Sequence, residues 1–269
     1  MRITISVMVD SLTGAGDALE QLLRLLSSYE LKATFFVSCG PDRNAPLLSR
    51  LRGADHISSF ADNLHAIPEQ GHEIGLAPWD PVSWRQKAAV AQQQWISEQW
   101  TRGLQSWRDL FSEDPVSHAA TDFQVHSELF RLEQHSGMRY ASDTHGKTPF
   151  YPLMLNQQSS CLQLPVTLPG IRELLNSDDV ADERLHEEIY DASLSRLPLG
   201  HHWRFVAGRD DLQLLEKMIV MWRGSSGEFM TLAELAETAA ESQPHQHIVG
   251  WDALADGHSV AAQSIQSEE

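Results

Sequence analysis

Ile3, Ile5, Val7 and Val9 alternate with Thr4, Ser6, Met8 and Asp10 near the start of the chain. A period of two predicts a strand, and Met8 on the otherwise polar side predicts that both faces are covered. Residues 17–28 follow with Leu19, Leu22, Leu23 and Leu26 at helical spacing and Asp17 as a cap. The same reading predicts strands over 32–40, 73–77, 115–121, 138–143, 161–169 and 201–208. Between them it predicts helices over 85–111, 125–136, 182–195 and 211–223, and a last one after Thr231, whose spacing to Glu234 is that of a capping box. About seven alternations of strand and helix predict an α/β fold. The expected form is a mainly parallel sheet closed, or nearly closed, into a (β/α) barrel over residues 1–240. Residues 241–269 are polar apart from Trp251 and read as a mobile or partner-binding extension.

Charge narrows the partners. Lys and Arg number 20 against 37 Asp and Glu, a formal −17. A field of that sign repels phosphate backbones and anionic headgroups, so neither nucleic acid nor stable membrane insertion is expected. Residues 43–60 are mildly apolar, and Leu47, Leu48 and Leu51 could make only a transient lipid contact. The two cysteines, Cys39 and Cys161, are too few for a disulfide framework and read as buried thiols. The first residues lack the pattern of a secretory signal, and no run is apolar enough to span a bilayer, so the cytoplasm is the expected compartment.

In parallel barrels chemistry gathers at the C-terminal strand ends. Those ends carry Asp10 and Ser11, Trp79 and Asp80, Thr121 and Asp122, Asp143 and His145, and Gly208, Arg209 and Asp210. Asp10 with His145, joined by Asp143 or Asp122, is the pair that could begin a metal site. His201 and His202 start their strand and belong to the opposite mouth, while His245 and His247 fall in the polar extension. No serine has the surroundings of a nucleophile elbow, and GAGDAL at 14–19 is wrongly spaced for a dinucleotide fingerprint.

Five stretches point further: VMVDSLTG (7–14), ATFFVSCGPD (33–42), GHEIGLAPWD (71–80), MRYASDTHGKTPFYPL (138–153) and LQLPVTLPGIREL (162–174). With the order of elements they resemble the NodB-type polysaccharide deacetylases over about residues 2–240. Within that family they are most similar to the deformylases of a lipid-linked formamido-arabinose. The resemblance implies a deformed (β/α) barrel and metal-dependent amide hydrolysis by a base Asp, a metal Asp, two metal histidines, an orienting Arg and a late His. Carried over, the metal Asp falls on Asp10, the base on Met8, the histidines on Ala77 and Pro81, the Arg near Phe123 and the late His near Val206. Asp10 alone is retained, as a vestige. The expectation is therefore a catalytically degenerate protein without a metal cofactor. It would bind a protein partner, a second copy of itself, a glycan or a lipid-linked sugar, with the tryptophans at 95, 100 and 107 as one candidate contact surface. The alternative is a zinc-dependent amide hydrolase rebuilt around Asp10, Asp143 and His145, with Trp79, Asp80 and Asp122 also near the pocket.

Overall fold

A computed structural model describes residues 1–10, 12–41, 63–175, 182–253 and 259–263. Ser11 and the stretch containing Leu47, Leu48 and Leu51 lie outside the described residues. The strands are β1 (Arg2–Val9), β2 (Thr34–Val37), β3 (Glu73–Leu76), β4 (Ser117–His118), β5 (Tyr140–Ala141), β6 (Tyr151–Met154), β7 (Gln157–Gln158), β8 (Leu162–Gln163), β9 (His201–Val206), β10 (Glu228–Met230), β11 (Gln246–Ala253) and β12 (Ser259–Gln263).

β1 is the spine. β9 pairs with it along Ile3–Met8, and on its other edge β10 takes Arg2–Thr4 and β2 takes Ser6–Val9. β3, β4, β5 and β8 continue the sheet beyond β2, every pairing parallel. After β8 the chain turns back to β9, where Thr167 and Leu168 donate backbone N–H groups to His202 O at 2.9 and 3.2 Å. The result is a curled, mostly parallel sheet forming a half-barrel, as the alternation predicts. From Ile3 to Val9 every residue of β1 is buried. That explains why Met8 can stand where a solvent-facing strand would carry a polar residue.

The helix Gln93–Phe111 buries Ile96, Trp100, Gly103 and Trp107, at steps of four, three and four. Its tryptophans are core, not a partner face. Trp84 and Trp95 stack across the break that splits the predicted 85–111 helix into Pro81–Lys87 and Gln93–Phe111.

The extension expected to be mobile also differs. β11 pairs parallel with β6 and antiparallel with β12, giving a second sheet in the order β12-β11-β6-β7. Val249, Val260, Ala261 and Ala262 are buried in it. These few apolar positions lie within a polar average, which hid two short strands. β12 is tied back to the barrel through His145, whose N–H donates to Ala261 O at 2.9 Å and whose carbonyl accepts from Gln263 N at 2.8 Å. Among the described residues no helix is long and apolar enough to cross a membrane.

Candidate metal centre and adjoining cavity

Strand order brings three ionisable side chains together. His118 ends β4, and the register pairs it with Ala141 of β5, so Asp143 follows two residues beyond on the neighbouring strand end. Glu133 comes from the helix Ser127–His135, on the buried face that also carries Leu129 and Phe130. His118 Nδ1 lies 2.8 Å from Glu133 Oε1 and 3.1 Å from Asp143 Oδ1. One ligand atom from each of the three lies within 4.8 Å of the others.

The surroundings satisfy the remaining lone pairs. Asp143 Oδ1 accepts from Ala120 N at 2.7 Å, and Oδ2 accepts from Gln163 Nε2 at 2.9 Å. The Trp100 ring meets His118 edge-on. Burial opposes charge on all three groups, and the outcome depends on their mutual pairing. Despite that burial, the Asp143 carboxylate and the hydrogen bonds to both acids hold His118 protonated, its pKa raised to about 9. Burial and the charge on Asp143 push Glu133 well above the usual carboxylate range. Asp143 itself is held below it, because His118 and its hydrogen bonds outweigh desolvation.

Arg204 of β9 stands next to this centre. Its Nη1 donates to Ala120 O at 3.3 Å, and its Nη2 to Ser142 O and Oγ at 2.5 and 2.8 Å. The guanidinium lies 4.5 Å from the centroid of the Phe123 ring. Phe123 and Asp122 occupy a turn in which both have positive φ, 54° and 48°. That conformation is costly for side-chain-bearing residues, and here it sets Phe123 between Arg204 and the His145 ring, 4.0 Å away centroid to centroid.

Beyond Phe123 opens a cavity of about 460 Å³ at the C-terminal strand ends, lined by Met8, Val206, Arg204 and Asp122 among others and flanked by Trp251 and Val260 of the second sheet. Asp10 and Asp122 form a second polar group at this end. Arg85 pairs with Asp122 through Nε and with Asp10 at 3.3 Å, and Arg209 reaches each carboxylate at 3.6 Å. Thr121 Oγ1 also donates to Asp10. Burial, then the charge on Asp122, raises the Asp10 pKa, and the two arginines oppose that rise.

The site residues expected from sequence therefore separate. Asp143 joins His118 and Glu133, whereas Asp10 and Asp122 join the arginines. His145 Nε2 sits 3.0 Å from Glu173 Oε1 without hydrogen-bond alignment. Asp80 caps the helix Pro81–Lys87, accepting from Ser83 N at 3.0 Å, and Pro81 occupies its first turn. Trp79 packs under Arg102, 5.0 Å from the ring centroid. Ala77 is buried beside Met8 and Phe36 in an apolar cluster, while Phe123 and Val206 line the cavity.

The expectation of a degenerate, metal-free centre is overturned by the intact set His118, Glu133 and Asp143. A side-chain trio able to hold a divalent ion is present, which corrects the readings of lost ligands, no cofactor and no catalysis. His118 and Glu133 did not enter the sequence-based site. Glu133 had a signal: a glutamate three and four residues after Phe130 and Leu129, on the core side of a helix.

No family model matches the chain. It is 25% identical over 266 residues, covering 88% of this chain and 86% of the relative, to a probable 4-deoxy-4-formamido-L-arabinose-phosphoundecaprenol deformylase of Shewanella sediminis. Its fold is similar to a putative polysaccharide deacetylase from Mycobacterium smegmatis, with TM-score 0.66, 15% identity, and 100% of this chain and 94% of the other covered. A probable polysaccharide deacetylase from Pseudomonas aeruginosa gives TM-score 0.64 at 13% identity, covering 90% and 92%. The half-barrel thus has the topology of the deformed NodB-type barrel.

Proposed function

We propose that the chain is a divalent-metal-dependent hydrolase that cleaves the acyl–nitrogen bond of an N-acylated amino sugar. The observation that carries this reading is the convergence of His118, Glu133 and Asp143. One imidazole and two carboxylates form a nitrogen–oxygen donor set suited to Zn²⁺ or a similar borderline ion. The donors fit for a second reason. The His118 Nδ1 position now shares a proton between two acids, and a cation would replace that proton. A bound ion would supply Lewis acidity toward the amide carbonyl or toward water.

The chain's own residues supply the rest. Met8, Phe123, Val206 and Val260 give the cavity apolar walls that keep bulk water from an acyl group. Asp210 lines the same cavity, and burial raises its carboxyl pKa to about 6 although Val206 N donates to it. A carboxyl in that range can hold a proton at Oδ1 or Oδ2 and pass it to a leaving amine near neutral pH. None of the three donors lines the cavity itself. The segment Ala120–Phe123 runs from the cluster to the cavity wall, so turnover requires that turn to open. The relative's name, a formamido-sugar deformylase, supports an amino-sugar amide as the substrate class. A cytoplasmic setting belongs to the same reading, supported by two free, buried cysteines.

Calorimetric titration of metal-free protein with Zn²⁺ tests this. The expected result is one-to-one binding with proton release, lost in Glu133→Gln and Asp143→Asn and retained in Asp10→Ala. The loaded protein should release formate or acetate from N-acyl amino sugars. Absence of binding, or binding indifferent to Glu133 and Asp143, refutes the reading.

A further inference from the structure

His118, Glu133 and Asp143 are buried, and none of the three lines the cavity at the strand ends. What stands between is short. Ala120 donates its N–H to Asp143 Oδ1 at 2.7 Å, and three residues later Phe123 forms part of the cavity wall. A hydrated cation approaching from the cavity meets this turn before it meets a ligand.

The turn is built as a moving part. Asp122 and Phe123 both hold positive φ, a conformation that side-chain-bearing residues keep only where their surroundings enforce it. Core packing supplies little of that enforcement. Phe123 packs with Val166 and Val260 in a small apolar cluster, separate from the two larger ones. Its other neighbours are the Arg204 guanidinium and the His145 ring. Asp122 is tied down on the cavity side by Arg85, through Nε, and by Arg209 Nη2 at 3.6 Å. All three side chains are partly exposed, and ion pairs of that kind part easily in water.

We propose that Asp122 and Phe123 form a latched gate between the cavity and the metal centre. The Phe123 ring is the plug, and the ion pairs of Asp122 with Arg85 and Arg209 are the latch. When the pairs part, the turn relaxes from its strained conformation, the ring leaves the wall, and a cation passes from the cavity to the buried trio. Asp122 acts through Phe123 and is a positioning residue, not a ligand. The inference rests on the metal-centre reading above for what passes the gate, and on no substrate.

The test is stopped-flow uptake of Zn²⁺ by metal-free, full-length protein, with its equilibrium affinity measured alongside, for wild type and Asp122→Asn. Asparagine has the size of aspartate and tolerates positive φ, so the variant removes the charge and keeps the turn. Uptake should quicken about three- to tenfold while the affinity stays within about twofold. Removing a negative charge by itself slows the approach of a cation, so a faster rate cannot come from steering. The advantage should narrow as salt rises, because salt loosens the wild-type latch as well. Phe123→Ala, which removes the plug and leaves the latch, should also quicken uptake. Hydrogen exchange at the Ala120 amide reads the same opening without metal and should quicken in parallel in Asp122→Asn. Uptake by neither protein overturns the metal reading and the gate with it. Equal uptake rates, or unchanged Ala120 exchange, overturn the gate alone. So does a gain in rate matched by an equal loss of affinity, which is damage to the centre.

Discussion

Two polar clusters stand near the same end of the barrel and solve opposite problems. Asp10 and Asp122 are two carboxylates held by two guanidiniums, Arg85 and Arg209, close to the cavity. Their positive charge is covalently part of the chain and cannot leave. His118, Glu133 and Asp143 are fully buried, and among the described residues no arginine or lysine bonds to them; their positive charge is a proton on an imidazole. A proton can be exchanged for a metal ion, whereas an arginine side chain cannot. The difference explains why Asp10, the position that the sequence resemblance singles out, is the poorer metal candidate.

Removing one member of the buried trio should have the largest effect on stability. Asp143→Ala leaves the Ala120 N–H and the Gln163 amide without an acceptor, and leaves His118 beside Glu133 alone. Breaking such a buried pair costs about 3–5 kcal/mol. Urea denaturation of the metal-free protein should show a midpoint shift of that size with an unchanged slope. A loss under about 1 kcal/mol would mean that the trio is looser and wetter than its burial indicates.

The trio should also show itself through pH. His118 is raised from 6.5 to about 9, so the folded state binds a proton that the unfolded chain releases. Its stabilisation is complete below pH 6.5 and disappears as pH rises through 9. The raised Glu133 acts in the same direction from the ordinary carboxylate range upward. The depressed Asp143 acts oppositely, and only in acid, where protonating it removes stability. Stability should therefore fall across pH 6.5–9 by on the order of 3 kcal/mol. His118→Gln should flatten this slope while Asp10→Asn leaves it intact. Saturating Zn²⁺ should reverse the trend, since metal and proton compete for Nδ1. A pH-independent stability in that window would show that the imidazole is neutral in the fold.

Much of the scaffold was legible because burial writes period two or 3.6 into a sequence. Seven of the strands, β1 to β5, β8 and β9, fall within stretches that the sequence pattern predicts as strands. The β6–β7 hairpin and the β11–β12 pair were not legible. Their buried positions, such as Val249 and Val260, are too few to outweigh polar neighbours. The site was harder for a geometric reason. Asp143 stood out at a strand end, but its partners depend on β4 lying beside β5 and on a helix placing Glu133 over both. Spacing along the chain does not encode that adjacency. Residue-by-residue carry-over led the same way, because it asked only whether old positions kept their ligands. Arg85 and Arg204 escaped for a similar reason, one from a helix and one from within a strand.

The smallest predicted effect belongs to the exposed cluster. Arg85 is 33% exposed and Asp122 29%, so water and salt screen their pairing. Arg85→Gln removes the closest contact to Asp122 and one contact to Asp10, but Arg209 still lies 3.6 Å from each carboxylate. The expected loss is at most about 1 kcal/mol, and it should shrink further at high salt. Denaturation of this variant at low and high ionic strength reads both features. Asp10 is the member that could upset the ranking, because it is far more buried than either partner, at 10% side-chain exposure. If Arg85→Gln cost as much as Asp143→Ala, Asp10 would depend on Arg85 as the buried trio depends on its proton. The arginine would then be an internal counter-ion for Asp10 and not a surface partner.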